Sequence, residues 1–208
     1  YPNAVYLTNP TRELKGIWVD PSPVPAEIVT TGLAENVTAD PIAQEAINSR
    51  QHFGYDPDAT YFIYTPAGHG ATAYGSVYCA YHTEVTETSA TGGQFGINYA
   101  FMPSVPEQGA GCGQNSVNAT DDAYGHGFFD GFSIVSGHEY GEAETDPHSF
   151  AGFQDGWNDA QTNENGDKCA WTGLADITLA NGRYYAVQPM WSNEANAGQG
   201  GCAMHRGN

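Results

Sequence analysis

Residues 121–147 read DDAYGHGFFDGFSIVSGHEYGEAETDP, and whether this stretch forms one helix decides the fold. Asp121 or Asp122 supplies an N-cap oxygen, and Phe128, Phe132 and Val135 recur at the spacing that gives a helix one apolar face. No proline interrupts the run before Pro147, so the spacing predicts a helix to about Glu144 that Pro147 stops. Residues four apart on such a helix share a face. His138 and Glu142 therefore converge on one point, with Glu139 standing beside them.

Working outward, Gly and Pro punctuate the chain and the apolar runs are short, which reads as many strands with few helices. Brief strands are expected at Ala4–Leu7, Gly16–Val19 and Glu27–Thr30. A helix follows, with Asp40 as N-cap, Pro41 at its first position, an apolar stripe of Ile42, Ala43, Ala46 and Ile47, and Gly54 at its end. Further strands are expected at Thr60–Thr65, Ser76–His82 and Phe95–Met102, then a polar loop from Pro103 to Thr120. Beyond the motif helix a polar excursion runs to Asp167. Asp176–Ala180, Asn181-Gly182 and Tyr184–Trp191 then read as a hairpin with a type I′ turn. Strands first and a helix after them imply an α+β fold with a mixed or antiparallel sheet and a C-terminal hairpin. We expect one domain over residues 1–208: mainly strands with one helix over 1–120, the motif helix over 121–146, and a metal loop and hairpin over 147–208.

Six Lys plus Arg stand against 24 Asp plus Glu, a formal charge of -18 spread along the chain. That balance excludes nucleic acid as a partner, because phosphate binding needs a basic surface, and disfavours anionic membranes. No apolar stretch approaches the ~18 residues needed to span a bilayer. Cys79, Cys112, Cys169 and Cys202 allow three pairings. Cys79–Cys112 and Cys169–Cys202 are expected, because each closes a moderate loop and leaves the motif helix free between them. Cysteine pairing with scarce Lys suggests an oxidising, extracellular setting, and the start at Tyr1 reads as a processed mature form. A monomer is expected.

In H-E-x-x-H helices two His bind zinc and the Glu is the general base; here Glu142 stands in place of the second His. A catalytic Zn²⁺ takes three protein ligands and leaves one position for water. Asp146, His148, Glu164 and Asp167 compete to be the third. Asp146 lies about 12 Å along the axis from His138, and His148 lacks the Gly that a sharp turn requires at Thr145. Glu164 is favoured, with Asp167 orienting His138 from behind. Glu139 then serves as general base, and His82, His126 or Tyr140 as donor to an oxyanion. Met190 reads either as a Met-turn beneath the ion or as filler. The oxygens of Asp155, Asn158, Asp159, Asn163, Glu164, Asn165 and Asp167 also suit Ca²⁺, without EF-hand spacing.

HEYGEAETDP from His138, Trp157, NENGDKC from Asn163, AVQPMWSN from Ala186 and Cys202, with YCAYH at Tyr78–His82, together resemble the plant EXORDIUM or phosphate-induced family and its bacterial and fungal relatives. The likeness covers roughly the C-terminal two-thirds of the chain. It implies a secreted protein with a zincin-like H-E-x-x-E helix. The expectation is a secreted metal-dependent endopeptidase acting on peptide or protein substrates, with carboxylate ligands suited to acidic pH. Its rivals are a non-catalytic extracellular protein stabilised by metal, and a metal-free carboxylate hydrolase of glycosidase or glutamic-peptidase type.

Overall fold

The computed structural model describes residues 14–24, 28, 40–119, 126–147 and 156–205. The expected strand at Ala4–Leu7 lies outside them, as does Glu27–Thr30 apart from Ile28, which makes an isolated bridge to Ala71. Gly16–Val19 is described and has no strand partner.

Helix α1 spans Pro41–Phe53, and Asp40 Oδ1 accepts the N–H groups of Ile42 at 2.8 Å and Ala43 at 3.3 Å. Two otherwise orphaned donors are thereby satisfied, and Gly54 ends the helix at φ 91°. Strands β1 (Thr60–Tyr64), β2 (Tyr81–Thr88) and β3 (Gln94–Met102) form one mixed sheet in the order β1-β3-β2. Central β3 runs parallel to β1 and antiparallel to β2. Strand alternation sends Ile97, Tyr99 and Phe101 to one face, where they join Ile63, Tyr81, Val85 and the apolar stripe of α1. Each such buried aliphatic or aromatic side chain contributes on the order of 2 kcal/mol. His82 pairs with Ala100 and so faces the opposite side, toward helix α2, His126–Thr145.

Helix α2 is the motif helix; Val135 is buried and Phe132 packs against the core as expected, but the buried face is wider than the apolar stripe and leaves Phe128 out. Gly127, Asp130, Gly131, Ile134, Val135, Glu139 and Glu142 are buried, whereas Phe128 lies 36 % exposed. Backbone contact explains the added width. A Cβ on Gly131 would stand 2.1 Å from the Cys112 carbonyl oxygen, and one on Gly127 would stand 1.9 Å from that of Asn118. The two glycines admit the loop after the 3-10 segment Val105–Cys112, and Asp130 fastens it by accepting the N–H groups of Val117 and Asn118.

The C-terminal part forms two small hairpins. Strands β4 (Ala175–Thr178) and β5 (Tyr184–Val187) pair antiparallel, as do β6 (Met190–Ser192) and β7 (Gly201–Ala203). Only Gly182 in the β4–β5 turn has positive φ, and Leu179 N–H donates to Arg183 O across it. A type I′ turn needs positive φ at both central residues, so the connection is a three-residue loop instead. Pro189 parts β5 from β6, which is why the second strand does not run on to Trp191. Disulfides join Cys79 to Cys112 and Cys169 to Cys202, the expected pairing. Among the described residues no helix is long and apolar enough to cross a membrane.

Candidate metal centre

Three pieces of chain build the site. Strand β2 supplies His82, helix α2 supplies His138, Glu139 and Glu142, and the turn after residue 163 supplies Glu164 and Asp167. That turn is held from the far side, because Gln188 Nε2 donates to Gly166 O at 3.0 Å and Trp191 N–H donates to Asn165 O at 3.0 Å. Gly166 is required for the fit: a Cβ there would stand 2.7 Å from Glu142 Oε1 and 3.1 Å from His138 Nδ1.

Among the described residues two sets of ligand-type atoms result, sharing Glu142: His138, Glu142 and Asp167, and His82, Glu139 and Glu142. In the first, His138 Nε2 lies 3.0 Å from Glu142 Oε2 and 3.6 Å from Asp167 Oδ1. Donors placed tetrahedrally at zinc bond lengths stand about 3.3 Å apart, so this spacing fits a zinc-sized ion. The Asp167 N–H donates to Glu142 Oε1 at 3.0 Å, which leaves Oε2 for the cluster. The second set is the more deeply buried, and only its Glu139 reaches the cleft. His82 Nε2 donates to the Asp146 carbonyl oxygen at 3.1 Å, since a carbonyl can only accept, and Nδ1 lies 3.2 Å from Glu139 Oε2. His138, Glu139 and Asp167 line a cleft of about 330 Å³, walled by residues 75–80 and by Ala170 and Trp171.

The charges are strongly coupled. Burial alone lowers the pKa of His138, but the Glu142 hydrogen bond and the charges of Glu142, Glu139 and Asp167 outweigh it and push the imidazole up to about 9. His82 likewise rises to about 9 against its burial, through the Glu139 hydrogen bond and the charges of Glu164, Glu139 and Glu142. Burial pushes Glu139 above the carboxylate range, and the His82 hydrogen bond only partly offsets this. Glu142 is equally buried, yet the hydrogen bond and charge of His138 hold it below the ordinary value. Burial raises Glu164 to about 8, aided by Glu142, Asp146 and Asp167. Five carboxylates thus crowd around two imidazoles, and the crowding together with burial raises the proton affinity of Glu139, Glu164 and Asp167.

The residues singled out from sequence fall into distinct places. Asp167, not Glu164, is the acidic side chain beside His138; Glu164 Oε2 instead lies 3.4 Å from His82 Nε2. His82 sits beneath Glu139 with both ring nitrogens engaged, away from the cleft lining, so it supports the carboxylate rather than facing an oxyanion. His126 stacks on Tyr184, and Tyr140 faces Phe62. Asp146 accepts from Asn158, while His148 and Asp155 lie outside the described residues. Of the loop residues considered for calcium, Asp159 accepts from Lys168 and Asn163, which hold it well below its ordinary pKa. Met190 abuts Gly141 beneath the motif. Gly166 and the cleft residues Val77, Trp171 and Gln188 escaped the sequence reading. Only the Asn165-Gly166 dipeptide carried a local signal, that of a tight turn.

No protein-family model, curated protein or solved structure matches this chain.

Proposed function

We propose that this chain is an extracellular, zinc-dependent hydrolase of peptide bonds with a zincin-like catalytic helix. The observation that carries the reading is the convergence of His138 Nε2, Glu142 Oε2 and Asp167 Oδ1 at a cleft that Glu139 also lines. When bound, a divalent cation polarises a carbonyl and lowers the pKa of water. His138, Glu142 and Asp167 hold it. Glu139 accepts the proton of the attacking water and returns it to the leaving amine, a task favoured by a carboxylate whose affinity for protons burial has raised. His82 fixes Glu139 through Nδ1 and is itself fixed by the Asp146 carbonyl. Two disulfides and the surplus of acidic residues support life outside the cell.

The more deeply buried set favours a second reading, a purely structural cation held by His82, Glu139 and Glu142. Metal content and hydrolysis of a casein substrate, measured after chelation and zinc return, separate the two. In the first reading Glu139→Gln keeps the metal and loses turnover, whereas Glu142→Gln loses both. Loss of metal from both variants, without any hydrolysis by the native chain, supports the structural ion. Hydrolysis that resists chelation overturns both and points to the carboxylates of Glu142 and Glu164, whose pKa values are driven apart.

A further inference from the structure

A disulfide anchors each of two stretches that line the cleft. Residues 75–80 form one, and the Cys79–Cys112 bond ties it to the 3-10 segment. The other is the turn from Asp167 to Trp171, tied through Cys169 to Cys202 on β7. Along that turn Lys168 N–H donates to Glu164 O, Cys169 N–H to Gly166 O, and Ala170 N–H to Asp167 O. The ligand carboxylate and the indole are therefore presented by one rigid piece of backbone, four residues apart.

Trp171 is unusual on two counts. Its φ is 58°, a left-handed conformation that bulky side chains rarely adopt. It is also 46 % exposed, with the ring edge over Gly113, where a Cβ would stand 3.1 Å from Cζ3. Backbone strain of this kind persists only where the surroundings enforce it, and it clusters at ligand-binding positions. The stretch 75–80 in the same lining carries Val77, 78 % exposed. Val135, Ala80 and Ala170 complete an apolar lining, while the charged groups there are His138, Glu139 and Asp167, with no Lys or Arg among them.

Resting on the peptidase reading above, we infer that Trp171 and Val77 determine specificity. The cleft accepts a bulky apolar side chain, best an aromatic one, next to the bond to be cut, and rejects an acidic one. Aromatic stacking on the indole and removal of Val77 from water favour the first; a carboxylate set against these apolar groups loses its water and meets no Lys or Arg in the lining.

The test uses the zinc-loaded Glu139→Gln chain and blocked hexapeptides identical except for a central Phe, Ala or Asp, with affinities read by calorimetry. The Phe peptide binds about tenfold or more tightly than the Ala peptide, and the Asp peptide most weakly. Trp171→Ala removes the Phe preference and Trp171→Phe keeps most of it. Val77→Glu, at an exposed position that leaves the core intact, also weakens the Phe peptide. Equal affinities, no binding by any peptide, or a preference unchanged in both Trp171→Ala and Val77→Glu overturns the inference. Selective binding by a native chain that cleaves none of the peptides leaves the inference standing and removes the catalytic reading instead.

Discussion

Replacing His82 by Leu tests the electrostatic framework of the site. The imidazole is 5 % exposed and donates to the Asp146 carbonyl, while its other nitrogen meets Glu139, itself 4 % exposed. Leu fills the space but leaves two buried oxygens without their donor, and breaking a buried charged pair from one side costs about 3–5 kcal/mol. The pKa leads to a similar figure. A rise from 6.5 to about 9 corresponds to roughly 3 kcal/mol of native-state stabilisation. Because the folded value lies above the unfolded one, that contribution is complete below pH 6.5 and fades as the pH climbs through about 9. Burial has also raised Glu139 and Glu164, so both act in the same direction.

The assay is urea unfolding of the native chain and His82→Leu, with chelator present so that proton linkage alone is read. Below pH 6.5 the substitution lowers stability by about 3 kcal/mol, equivalent to roughly 6–12 °C in Tm for a chain of this size. Above pH 9 the difference shrinks by most of that amount. Adding Glu139→Leu to the variant recovers much of the loss, because no orphaned carboxyl remains. A deficit that is the same at both pH values, or under about 1 kcal/mol at the lower one, refutes the reasoning.

Gly166→Ala places a methyl group against Glu142 and His138, so zinc affinity falls about 10–100-fold while the circular-dichroism spectrum stays native; an unchanged zinc titration counts against the assigned ligands. Free zinc at a hundred times its Kd raises stability by about 2.7 kcal/mol. Calcium at the same concentration leaves the melting curve in place, because the donor set includes an imidazole nitrogen; stabilisation by calcium alone points to an all-oxygen site elsewhere. Exposed Ala197 lies at φ 58°, and Ala197→Gly relieves that conformation for a net gain of about 0.5–1 kcal/mol. A lower thermal midpoint for this variant excludes the gain.

Parts of this molecule could be read from local sequence, and others depended on distant contacts. Helix α1 was legible because its signals are adjacent: Asp40 caps, Pro41 starts, and the apolar stripe faces β3. Helix α2 was legible as a helix, but the full width of its buried face was not. Apolar periodicity counts side chains, and at Gly127 and Gly131 it is the lack of one that lets the neighbouring backbone approach. Ser76–His82 has the composition of a strand, yet apart from an isolated Tyr74–Tyr78 bridge the ladder begins only at Tyr81, and Ala73 and Gly75 take positive φ where the chain turns into the cleft wall. Glu164 and Asp167 were both in view. Which of them meets His138 is set by Gln188 and Trp191 gripping the intervening backbone, an arrangement that spacing within NENGD does not encode.

The same contacts bear on how the proposed site works with only one imidazole ligand. Two carboxylates and one imidazole neutralise a divalent ion, which makes it a weaker Lewis acid than one held by two His and one Glu. Water is then less acidified and needs a stronger base. Glu139 is the base proposed here: burial raises its proton affinity, and the His82 hydrogen bond offsets part of the rise. The buried imidazole of His82 thus offsets the charge of Glu139, while the half-buried His138 lines the cleft. In the proposed site Glu142 stands where a second His would, and β2 brings His82 to Glu139, the residue after His138 on the helix.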